Sequence, residues 1–386
     1  MSIFQTQSKN TIIEYQNPLL IEKQKLVSEF NRQYIQSNGY NTINYPDRSF
    51  YIGQISQNNI REGKGIHTYS NQDLYLGDWK NDQQNGNGVY IFCNGERYEG
   101  QVLNGRKNGR GTYYYANGNI YQGNWHNDLK EGYGVYNYSI IGEKYEGEWK
   151  KGERDGKGIY YYSQGNKYEG GWKKGKKFGF GIINYIDGSK FEGNFSDDLA
   201  NGKGIMHYPD NKKYDGEWVN GCRHGIGILY LQDGGKYEGN WKNDQQDGIG
   251  LFLMGNGDRY QGEFNDGQRH GKGICYYKNG DRYEGQWEFD QINGFGTFNM
   301  VNGDKYQGKW LNGEKHGQGL YEFQNKDFYN GLWVNGERNG QGFYQWNNGQ
   351  TYNGEWKDDQ INGYGKITQA DGNCIQGYFK DNVAPV

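Results

Sequence analysis

The sequence predicts an all-β fold: an elongated, twisted antiparallel single-sheet array of tandem β-hairpins, with a short N-terminal helix. Three observations predict it. An aromatic-x-Gly motif returns every 23 or 24 residues, residues alternate with period two inside each copy, and Asn-Gly or Asp-Gly dipeptides punctuate the copies. Composition agrees, because 33% apolar residues and 65 glycines among 386 leave little material for a deep globular core. Glycine and tyrosine at this level would also suit disorder, and it is the fixed period that decides for a stacked architecture.

The copies start at Tyr51, Tyr75, Tyr98, Tyr121, Tyr145, Tyr168, Phe191, Tyr214, Tyr237, Tyr260, Tyr283, Tyr306, Tyr329 and Tyr352, with a degenerate last one at Ile375. Each reads Y-x-G-x-W, a polar turn, G-x-G-x-Y-x-Y and a second turn. With the leading aromatic as i, position i+4 holds ten of the eleven tryptophans, so the motif itself places them. Tyr145, Gly147 and Trp149 fall on one sheet face and Glu146 and Glu148 on the other. In the second strand Gly156 and Gly158 share the face of the aromatics that follow. Glycine weakens a strand interior, so its recurrence needs a reason. The expected one is space, with bare backbone letting neighbouring Tyr and Trp rings lie across it. Tyr145, Gly147, Trp149, Gly156 and Gly158 thus represent a structural aromatic and glycine face.

Asn117-Gly118, Asp187-Gly188, Asn279-Gly280 and Asn302-Gly303 read as tight two-residue hairpin turns. The array is assigned to residues 51–379, after an N-terminal extension of 1–50 and before a tail of 380–386. Inside the extension, Leu19, Lys23, Leu26, Val27, Phe30 and Tyr34 form a helix-period stripe, which predicts a helix over about 18–37. Asn17 is the expected N-cap, Pro18 the first helical residue and Asn38-Gly39 the stop. This helix either caps the open edge of the first hairpin or docks a partner through Leu19, Leu26, Phe30 and Tyr34.

The formal charge of −3 predicts no strong pull toward nucleic acid. Cys93, Cys222, Cys275 and Cys374 form no C-x-x-C pair, and the polar N-terminus lacks the apolar core of a signal peptide. A reducing compartment is expected. His224, His270 and His316 recur at one repeat position, but 46-residue steps put them about 19 Å apart in a ladder, too far to share an ion. No cofactor, metal or catalytic set is expected. The basic run Lys173-Lys174-Gly175-Lys176-Lys177 reads as a solvated turn.

Position i+7 alternates between Asp and Gly from the Phe191 copy to the Tyr306 copy, and every Gly copy carries a basic residue at i+9. Asp198, Arg223, Asp244, Arg269, Asp290 and Lys315 therefore form one charged rim. The local explanation is neutralisation between adjacent hairpins. The functional one is a two-hairpin ruler that sets register with a partner or a second copy.

Y-E-G-x-W followed by G-x-G-x-Y at 23-residue spacing, as in Tyr145–Trp149 with Gly156–Tyr160, resembles the membrane occupation and recognition nexus (MORN) repeat. The resemblance covers Tyr51 to Phe379. It implies a non-catalytic scaffold or dimerisation module, most similar to the MORN subunits of ciliary radial spoke heads. The expected partners are protein subunits of an axonemal complex, or a second copy, and the expected location is the axoneme. The alternatives are a membrane–cytoskeleton organiser that binds acidic phospholipid, in the cytoplasm or on a membrane's cytoplasmic face, and a regulatory array serving an enzyme in trans.

Overall fold

The computed structural model describes residues 18–34 and 39–384. It falls into two compact units, Met1–Ile186 and Asp187–Val386. In both, successive strands pair antiparallel through short turns, and one helix is the exception to the all-β pattern.

The copy beginning at Tyr145 shows how the sequence builds the ladder. Its first strand, Glu143–Lys150, pairs with Glu153–Tyr161, setting Tyr145 opposite Tyr160 and Gly147 opposite Gly158. The next copy then sets Gly170 opposite Gly158 and Tyr168 opposite Tyr160. Glycines thus stack in one column and tyrosines in the column beside it. The Tyr145 ring folds back over the glycine column, fully buried, and its hydroxyl donates to the Glu148 carbonyl at 2.9 Å. A methyl group on Gly147 or Gly158 would lie 2.6 or 2.4 Å from that hydroxyl oxygen. The expectation that bare glycine makes room for rings is met at these two positions.

Gly156 has a different job. From Gly147 to Trp149 the first strand takes two residue steps while its partner takes four, from Gly158 to Arg154. The bulge needs a left-handed residue, and Gly156 supplies it at φ +107°. The Lys157 amide inside the bulge donates to the Glu148 carboxylate at 3.0 Å. Gln101 accepts from Arg110, and Gln286 from Phe295, in the same way. This is why i+3 favours Glu, Gln and Asn, a preference that alternation alone leaves unexplained.

The two turns of each copy differ in type. Asn117-Gly118 closes a three-residue loop in which Gly118 donates to the Tyr115 carbonyl at 2.9 Å and alone takes positive φ, at +81°. That is a type I turn with a glycine bulge, not the two-residue turn predicted for the Asn-Gly dipeptides. The two-residue type lies inside each copy at i+6 and i+7, where Asn243 and Asp244 take φ of +48° and +69°. One such turn carries a bulky residue: Phe289 sits at φ +49° and is 62% exposed. Replacing it with Asn should raise stability by about 1 kcal/mol, measured by denaturant titration, because Asn tolerates this conformation.

At the N-terminal side, helix α1 (Pro18–Tyr34) lies on the glycine-free rows of the opposite sheet face rather than over the hairpin edge. Phe30 is buried against Ile66 and Leu74, with Val27, Tyr34, Ile52 and Leu76 around them. Leu26 is half-buried; the side chain of Leu19, and the expected caps Asn17 and Asn38, lie outside the described residues. The edge is taken instead by strand β1 (Tyr40–Asn44), which pairs with β2 (Phe50–Ile55). Sequence reading passed over this strand, since five residues carry too little alternation to register.

Candidate interaction surfaces

The aromatic face is largely consumed by its own packing. Tyr145 meets Trp149 edge-to-face at 5.3 Å and meets Trp172 of the next copy at 5.3 Å. Trp172 Nε1 also donates to the Gly158 carbonyl at 3.2 Å. Each tryptophan therefore closes the core of the copy before it, while joining its own. Similar Tyr–Trp contacts recur in the second unit, at 5.3 and 5.2 Å around Tyr214.

The charged rim lies against this stack. Arg223 places its guanidinium 4.3 Å from the Trp241 ring, and its Nε lies 3.1 Å from the Asp244 carboxylate. The Asp244 carboxylate also accepts the Arg223 amide at 3.0 Å. Arg269 with Asp290 and Arg338 with Asp359 repeat the arrangement in the second unit, as do Arg61 with Asp82 and Lys107 with Asp128 in the first. Asp198 is also engaged. Lys315 faces a copy with Gly at i+7 and has the Trp333 ring at 3.9 Å. Burial pushes its amine down to about 8, and Lys130, over Trp149 at 4.3 Å, is likewise pushed down to about 8 by burial and by the Arg154 cation. The alternation of Asp and Gly thus has a local meaning. A carboxylate at i+7 meets the cation at i+9 of the preceding copy.

Burial alone would raise the Asp244 carboxyl, but its bonds to the Arg223 amide and guanidinium and to Cys222 outweigh that and hold it below its ordinary range. Asp359 behaves alike through Arg338. Because the folded values are lowered, this stabilisation is complete above the unfolded value of about 4 and is lost as pH falls through the folded value. Asp244→Asn should therefore cost about 0.5–1 kcal/mol at neutral pH, and the gap to the parent should close in acid, in thermal melts run across that range.

The opposite face carries a second row of ion pairs, unnoticed in the sequence although i−1 and i+1 are plainly basic and acidic. Lys144–Glu146 at 2.6 Å and Lys167–Glu169 at 2.9 Å lie in the first unit, and Lys190–Glu192 and Lys236–Glu238, both at 2.8 Å, in the second. Between the glycines of each G-x-G, this face exposes Ile226, Ile249 and Phe295. Ile249 and Phe295 flank a shallow trough of about 600 Å³ over Gly262, Gly273 and Gly285.

The rings at i+15 and i+17 form a further feature, longest in the first unit; a run of four, Tyr321, Phe323, Tyr344 and Trp346, lies in the second. From Tyr69 to Tyr162 nine aromatic rings follow one another with centroids 4.4–6.0 Å apart. Asp73, Glu96 and Glu143 line their edge and accept the hydroxyls of Tyr90, Tyr113 and Tyr160. Among the described residues no group of three His, Cys, Asp or Glu side chains is placed to hold a metal. The Lys173–Lys177 run lies at a hairpin tip, where Lys174 and Gly175 form the two-residue turn.

Fourteen consecutive stretches, from 51–74 through 352–374, match the family model of the MORN repeat. The chain belongs to the MORN repeat family. No curated protein matches it. Among solved structures, the TCP domain of SAS-4 from Drosophila melanogaster is 18% identical, covering 40% of this chain and 86% of its own, with a TM-score of 0.27. The TCP10 domain of Danio rerio CPAP is 11% identical over 76% of this chain and 99% of its own, with a TM-score of 0.16. Such low scores carry no argument about this MORN array. The MORN family match supports a repeat scaffold for protein or membrane interaction, and arrays of this kind are typical of non-catalytic proteins.

Proposed function

We propose that this MORN array is a structural scaffold in a large cytoskeletal assembly, of the kind found in the axonemal radial spoke head, with other protein subunits as its partners. The observation that carries the reading is the division of labour between surfaces. The leading tyrosines and the tryptophans are spent on holding copies together, as the fully buried tyrosines show, while the half-buried rings beside them, the opposite face and the rims are left to meet other molecules. Repeat arrays present such extended surfaces because each copy contacts only its neighbours.

The test is localisation of an epitope-tagged copy in ciliated cells, followed by detergent and high-salt extraction of isolated cilia. Retention on the demembranated axoneme, with release by chaotrope, supports the scaffold. Release by detergent, or absence from cilia, overturns it in favour of a membrane organiser. The charged rim has its own test. Exchanging Arg223 for Glu together with Asp244 for Lys keeps an intramolecular pair but inverts what a partner meets, so weakened co-assembly of a folded double variant is expected if the rim sets register. Unchanged co-assembly would remove the rim from the interface.

A further inference from the structure

The nine-ring ladder of the first unit is more than the fold requires. In the second unit the equivalent positions are mixed: rings such as Phe252, Tyr321 and Tyr344 alternate with Met206, Leu229 and Cys275 at i+15 and with Leu231, Met254 and Met300 at i+17, yet the strands pair in the same register. Aliphatic or sulfur-bearing side chains therefore satisfy the packing. An unbroken run of nine rings is thus more than the packing demands.

Their geometry specifies a ligand. Successive copies advance along the ladder by two strand spacings, about 9.4–9.8 Å. A polyproline II helix advances about 9.3 Å per three-residue turn. A peptide in that conformation, laid across the strands, meets the same pair of rings once per turn. Few other extended conformations would keep step over several copies. The outer rings, among them Tyr115 and Tyr138, are half-buried and keep part of their surface open for a proline to pack on. The edge adds charge. Asp73, Glu96 and Glu143 each accept a tyrosine hydroxyl, and none of the three takes part in an ion pair among the described residues. Asp73 is itself buried, with both carboxylate oxygens taken by Cys93, Asn71 and Tyr90, so the charge open to a cation is that of Glu96 and Glu143, two copies apart and in step with a cation every third residue.

We propose that the aromatic ladder between Tyr69 and Tyr162 binds a proline-rich, basic segment of a partner protein in polyproline II conformation, one peptide turn per MORN copy. From the first copy to the fifth the ladder covers about four copy steps, or some 38 Å, which about twelve residues of such a helix would span. The proposal names one partner class for the scaffold but does not depend on the cytoskeletal assignment.

The experiment uses the full chain and a labelled peptide of four Pro-Pro-Arg triplets, read by fluorescence anisotropy at physiological salt. Saturable binding with Kd below about 1 mM is expected. Four Gly-Ser-Arg triplets carry the same charge without the helix and should bind at least about tenfold more weakly, since proline pre-orders the bound form. The double variant Tyr115→Leu, Tyr138→Met borrows residues that the second unit already accommodates, and should also lose about tenfold, the weight of two stacked rings. Glu96→Gln with Glu143→Gln should reduce affinity for the arginine peptide but leave that for four Pro-Pro-Gln triplets unchanged. Absence of binding, equal binding of the Gly-Ser-Arg peptide, or undiminished binding by the folded aromatic double variant would each overturn the proposal. Localisation plays no part in any of these readouts, so a failed spoke assignment and a failed ladder remain separate results.

Discussion

Alanine at Gly158 is expected to cost about 3 kcal/mol, although it adds a single methyl group. That methyl would lie 2.4 Å from the Tyr145 hydroxyl oxygen and 2.5 Å from a ring carbon, and neither can retreat. The ring is fully buried, pinned by its hydroxyl on the Glu148 carbonyl and wedged between Trp149 and Trp172. The side chain must leave its site, and the loss approaches that of deleting a buried aromatic. Gly156→Ala supplies the contrast. There the methyl meets the Glu148 side chain alone, whose carboxylate at 2.6 Å can swing aside while its Cβ at 2.9 Å needs a small shift, and the main cost is backbone strain at φ +107°, about 1–2 kcal/mol. Denaturant titrations of the two variants should separate them. Equal losses would mean that the two glycines of the G-x-G motif do the same work.

Removing the Trp172 side chain with alanine should be at least as damaging, about 3–5 kcal/mol. This one residue meets Tyr145 and Tyr168 edge-to-face, bonds the Gly158 carbonyl and lies beneath the Arg154 guanidinium at 4.3 Å. Because copies interact only with their neighbours, the loss should be local. Hydrogen exchange is expected to accelerate in strands Glu153–Tyr161 and Lys167–Lys173 well before distant strands respond. Phenylalanine at the same position should cost only about 1 kcal/mol, the hydrogen bond, since Phe195 and Phe264 already fill this place in other copies. Uniform acceleration along the chain would contradict the nearest-neighbour picture.

Much of the architecture was legible because the repeat states it many times over. The period gave the copies, and the alternation of Tyr145, Gly147 and Trp149 gave the aromatic face. Other features needed coordinates for physical reasons. Gly156 and Gly158 look alike as letters, yet one answers to a dihedral angle and the other to a ring, and only pairing register separates these demands. Asn-Gly fits two turn types whose difference lies in loop length, so Asn117-Gly118 was placed in the wrong one. Strand β1 was too short to show a pattern. The Asp–Gly alternation and its neutralisation across adjacent hairpins were legible, and Arg223 does reach Asp244 21 residues away, but the Trp241 ring under its guanidinium was not. The ring positions of the aromatic ladder were legible as the Y-x-Y of the motif, but their contact from copy to copy, and the carboxylates along their edge, needed the pairing register.

The position of the tryptophans changes what counts as one folding module. Trp172 closes the core begun by Tyr145, so the cooperative piece runs from one Y-x-G-x-W strand to the next, out of phase with the 23-residue period. The strand Cys374–Phe379 shows the consequence: half a copy by sequence, it delivers Phe379 to the Tyr352 ring at 5.4 Å and 80°, where earlier copies receive their neighbour's aromatic residue, or Val102 after the Tyr75 copy. A shortened array cut between whole motifs would carry an unfilled socket at its last tyrosine. One trimmed half a period later would end sealed.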